Sequence, residues 1–74
     1  MREYYRNDAF LAAIGKKIKQ VRRSQKMTRE QLAFKCNDID YTQIAKMERG
    51  EVNFGISYLF LVAQALKVHP KDLV

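Results

Sequence analysis

Two short helices that each mark their own start and stop, set a few residues apart, restrict this chain more than anything else in it. Residues 28–50 read TREQLAFKCNDIDYTQIAKMERG. Thr28 and Gln31 have the spacing of a capping box, in which each side chain satisfies a backbone N–H that the first helical turn leaves orphaned. Leu32, Ala33 and Cys36 follow at helical spacing. Asn37-Asp38 interrupts the helix, because both side chains compete for backbone hydrogen bonds and tolerate turn geometry. Ile39 is the apolar residue of the turn and is expected to plug the angle between the helices. Asp40 and Gln43 repeat the capping-box spacing and open a second helix. Ile44 and Met47 share one face of it, and Gly50 is placed to end it.

A helix, a tight turn with an apolar plug and a second helix form a helix-turn-helix, the unit that lays its second helix in the major groove of DNA. The order Gln31-Leu32-Ala33, then Ile44, Met47-Glu48-Arg49-Gly50, resembles the phage repressor/Cro-like (XRE-type) helix-turn-helix family of DNA-binding regulators. The similarity continues through Asn53 to Ala63, Leu66, Val68 and Leu73, so it spans about residues 14–73. The resemblance implies an all-α fold, a compact five-helix bundle of the lambda-repressor-like kind. It implies that Arg22 pairs with Glu48, tying the first helix to the end of the second motif helix. Tyr41, Thr42 and Lys46 match the family's base-reading positions. The chain departs from the family twice. From Leu32 to Gly50 it is one residue longer than the usual pattern, the extra residue falling at Asn37-Asp38, and Phe54 stands where the family often has Pro.

The rest of the chain supplies what such a motif needs around it. Residues 1–7 read as a short N-terminal arm bearing Tyr4 and Tyr5, and 8–74 as a single domain. The first helix is expected over 8–25, capped by Asn7 or Asp8. Phe10, Ile14, Ile18 and Val21 form its apolar stripe, widened by Leu11, with Lys16, Lys17, Lys19 and Arg23 opposite. The motif helices are expected over 28–36 and 40–48. A fourth helix over 56–66 is apolar almost all round. Leu59, Ala63 and Leu66 are its inward face, with Ile56 and Val62 beside them. That leaves Tyr58, Phe60 and Leu61 with too little core to hide in, and with Leu73 and Val74 they are the expected homodimer contact. His69-Pro70 begins one final turn, giving five helices in all.

Charge sets the partner. The net charge of +6 and pI near 9.7 are high for 74 residues and point to a polyanion. Between residues 16 and 35 only Glu30 opposes a run of lysines and arginines. Arg29, at the start of the first motif helix, is the leading phosphate contact, with Lys26, Lys35, Arg49 and Asn53 as further candidates. Thr42 and Lys46 suit base edges, and Tyr41 a sugar or phosphate.

Chemistry of other kinds has little to work with. His69 and Cys36 stand far apart in sequence, and neither sits in a metal-ligand or nucleophile–base spacing. No enzyme activity, cofactor or metal is expected. One cysteine permits no internal disulfide, no apolar run approaches the ~18 residues of a membrane span, and the start lacks a signal peptide, so the cytoplasm is the expected location.

The function expected is sequence-specific binding of double-stranded DNA by a small homodimeric transcriptional regulator, its two copies matching two half-sites about 34 Å apart. Regulators of restriction–modification genes, compact phage repressors and self-repressing antitoxins all look like this, which leaves a toxin partner open. The alternative is a protein-interaction module that keeps the fold without reading DNA. The basic residues Arg29, Lys35, Lys46 and Arg49 around the motif favour DNA.

Overall fold

The computed structural model describes residues 6–74. Tyr4, Tyr5 and most of the arm expected over residues 1–7 lie outside the described residues. Arg6 is docked: its guanidinium donates to the carbonyl oxygens of Gly50 and Glu51 at 3.2 and 3.0 Å.

The described chain is all-helical. It runs α1 (Asp8–Ser24), α2 (Arg29–Lys35), α3 (Tyr41–Glu48) and α4 (Ile56–Ala65), then a 3₁₀ turn at Pro70–Leu73. The expected fifth helix is therefore corrected to a single turn. Pro70 fixes its own φ but offers no N–H, and His69 and Asp72 cap each other across the turn.

The helix starts follow their cap residues. Asn7 accepts from the N–H of Phe10 at 3.0 Å, and Thr28 and Gln31 form the reciprocal box at 3.1 and 2.8 Å. The helix ends share a second device. α1, α3 and α4 each close with a left-handed residue, at Lys26, Gly50 and Lys67. In each, the N–H after it reaches back to the third-last helical carbonyl, as Glu51 does to Lys46 at 2.9 Å. α2 ends differently. Asn37 and Asp38 both take left-handed φ, 59° and 57°. The N–H of Ile39 still bonds the Ala33 carbonyl at 3.1 Å. The extra residue is thus absorbed as a second left-handed step, which widens the turn while Ile39 packs half-buried against the core.

α1 and α3 cross at near backbone contact. A Cβ on Gly15 would lie 2.2 Å from the carbonyl oxygen of Met47, so this crossing requires glycine. Gly50 meets the same limit from the other side, with the backbone of Ala12 2.8 Å from where its Cβ would be. Ile18, Leu32, Cys36, Ile44, Val62, Leu66 and Leu73 are wholly buried around this seam. Each large aliphatic among them contributes about 1.5–3 kcal/mol on leaving water.

Three side chains depart from the expected core. Leu11 turns inward in place of Phe10, which is half exposed, and Ile56 is 83% exposed at the start of α4. Leu73, expected at a dimer contact, is instead fully buried, because the 3₁₀ turn folds it under α4 and α1.

Candidate nucleic-acid interface

The inward face of α3 is Ile44, Ala45, Met47 and Glu48, and its outward face is Thr42, Gln43 and Lys46, with Tyr41 exposed at the first turn. The side chain of Asp40 accepts from the N–H of Thr42 at 3.1 Å, and its carbonyl accepts from the N–H of Gln43 at 2.9 Å. No return bond from the Gln43 side chain completes the expected second capping box. Gln43 is therefore presented outward beside Thr42 and Lys46. Its spacing from Asp40 matches a cap, whereas its place on the outward arc of the helical wheel is the signal that agrees with the fold.

A buried ion network fixes the far end of α3. Arg22 Nε lies 2.6 Å from a Glu48 carboxylate oxygen, and a second nitrogen of Arg22 reaches the other oxygen at 3.3 Å. The remaining Arg22 donor bonds the carbonyl of Met27 at 2.7 Å. Arg22 thereby joins α1, the α1–α2 connection and α3 through one side chain. Arg29 also donates to Glu48, at 2.9 Å, with its side chain about one-third exposed. The leading phosphate candidate is thus partly engaged: its Nε holds Glu48, and the residue lines an open cleft with Thr28, Glu30 and Tyr41. Every buried side-chain polar atom among the described residues has a partner, as a network in low dielectric demands.

Every ion pair among the described residues uses an arginine: Arg6–Asp8, Arg22–Glu48, Arg29–Glu48 and Arg49–Glu51. Among the described residues no lysine makes an ion pair, and Lys46 lies close enough to Glu51 to help lower the pKa of its carboxyl. Arg49 is less available. Its hydrogen bond to Glu51 raises its own affinity for the proton and holds the Glu51 carboxyl below the usual range. Asn53 is exposed in the loop after α3. On α4, Tyr58 and Phe60 are exposed and Leu61 half-buried, and Val74 is exposed at the C-terminal residue. Cys36 is fully buried, and burial pushes its thiol's pKa up, away from the reactive thiolate. His69 Nδ1 accepts from the Lys71 N–H as a helix cap.

Two helices in contact across a short, widened turn, the second presenting polar and basic side chains outward, define a helix-turn-helix domain of the DNA-binding type. The chain belongs to the helix-turn-helix family, whose model matches residues 18–73, and within it to the phage-repressor-like regulators. The control protein C.BamHI of Bacillus amyloliquefaciens is 41% identical over 61 residues, covering 81% of this chain and 74% of that protein. Among solved structures, the restriction-modification controller protein C.AhdI from Aeromonas hydrophila superposes with a TM-score of 0.84 at 27% identity, over 89% of this chain and 98% of that one. The controller protein C.Esp1396I, solved as a tetramer with its natural 35 base-pair operator, gives 0.82 at 33% identity over 90% and 87%. No helix among the described residues is long and apolar enough to cross a membrane.

Proposed function

We propose that this chain is a transcriptional regulator of the restriction–modification controller type, binding operator DNA as a homodimer in the cytoplasm. The observation that carries the reading is the two-faced α3, with Glu48 clamped inward by Arg22 and Arg29 while Thr42, Gln43 and Lys46 face out. In this reading α3 enters the major groove. Lys46 donates to guanine O6 and N7, and Thr42 meets a thymine methyl or a polar edge. Gln43 suits the N6/N7 edge of adenine, and Tyr41 contacts the sugar-phosphate backbone. Lys26, Lys35 and Arg29 bind phosphates, with Arg49 and Asn53 at the rim. The dimer contact falls to Tyr58, Phe60, Leu61 and Val74. The similarity to C.BamHI and to the operator-bound C.Esp1396I supports the choice among regulators.

Selection from a random DNA pool near physiological salt tests this. The expected product is a palindrome whose half-site centres lie about 10 base pairs or a multiple apart. Salt-sensitive bulk binding with no enriched sequence would overturn the reading.

A further inference from the structure

One side of the apolar surplus on α4 is concave. Between α4 and the α2–α3 turn lies an open cleft of about 510 Å³. Asn37 and Ile39 wall it on the turn, Tyr58 and Leu61 on α4, and Phe60 stands at its edge, 60% exposed. None of these residues is charged. Two copies of a chain carrying +6 repel wherever their charged faces approach, so self-association needs a neutral contact. A projecting phenyl ring beside a neutral cleft is self-complementary: across a twofold axis the ring of each copy meets the cleft of the other.

We propose that Phe60 of a second copy of this chain seats in this cleft, so that dimerisation bears on the α2–α3 turn as well as on α4. The inference rests on the homodimer reading above and deepens it. Asn37 and Asp38 take left-handed steps in succession, a conformation that Asn and Asp adopt readily only one residue at a time, so this turn gains from a covering neighbour. A partner ring packed beside Ile39 fixes the turn from which α3 begins. The pair of chains, rather than one alone, then presents the reading helix at its working angle.

Cross-linking tests the contact. Asn37→Cys and Phe60→Cys chains are purified separately, mixed and oxidised, the native Cys36 being buried and silent. A disulfide joining the two different chains is expected. Phe60→Ser should weaken self-association roughly 30-fold or more in sedimentation equilibrium. Its helical circular dichroism should be unchanged, because the ring is exposed in the single chain. The Ile39 amide, bonded to the Ala33 carbonyl, should lose hydrogen-exchange protection on dilution and in Phe60→Ser. A dimer that survives Phe60→Ser and gives no mixed cross-link overturns this contact while leaving the homodimer standing. Protection at Ile39 that ignores concentration overturns the coupling to the turn. A chain that stays monomeric at every concentration and on DNA overturns both readings.

Discussion

The seam between α1 and α3 and the outer face of α4 are built to opposite standards. At the seam, Gly15 brings the helices to backbone contact, and Glu48 takes three charged hydrogen bonds from two arginines. On α4, Ile56 and Phe60 project into solvent one helical turn apart. The first region pins the C-terminal end of α3 to α1. The second leaves apolar surface unspent. The difference teaches that the chain spends its tightest packing on the C-terminal end of α3 and leaves the α4 face, beside the turn from which α3 begins, uncovered.

The comparison can be broken at either region, and the largest effect belongs to the seam. Glu48→Ala strands Arg22 in the interior and should cost about 3–5 kcal/mol in urea unfolding, a large share of the ~5–15 kcal/mol such a domain holds. A loss below about 1 kcal/mol would mean that the network is ornamental. Lys46→Ala should cost about 1–3 kcal/mol on the selected operator and far less on random DNA; equal losses would remove it from the readers. Arg29→Ala should weaken both DNAs alike and lower the slope of log affinity against log salt by roughly one. An unchanged slope would assign Arg29 wholly to Glu48. Lys67→Gly should raise stability by up to about 1 kcal/mol, because Lys67 ends α4 at φ 59°. Ile56→Ser should move unfolding by no more than about 0.5 kcal/mol; a cost near that of Glu48→Ala would show that the α4 face is not open.

What could be read in advance was local. Thr28, Asp40 and Gly50 declared the helix boundaries because caps depend on residues within a few positions. The pairing of Arg22 with Glu48 spans 26 residues and came from the family resemblance rather than from spacing. Phe10 and Ile56 differ from expectation for one reason: helical periodicity gives the direction of an apolar stripe but not how much of its width neighbours will cover. Phe10 and Leu11 both fall on the stripe, and Leu11 is the one buried, with Phe10 left half exposed beside the loop at Phe54. Leu73 was buried by a turn whose docking no local pattern encodes. Gln43 showed the converse, a local pattern matched by spacing and unused by the fold.

The brevity of α3 has a consequence in time. Eight residues fall short of the ~12–15 that an isolated helix needs to persist in water. Its shape is borrowed from the crossing at Gly15 and from the arginines that hold Glu48. A newly made chain therefore has no reading helix until α1 has closed over it, and a chain that opens loses its grip on DNA in the same step. For such a regulator the effective dose is the folded population, and the rate of unfolding sets how long each molecule counts.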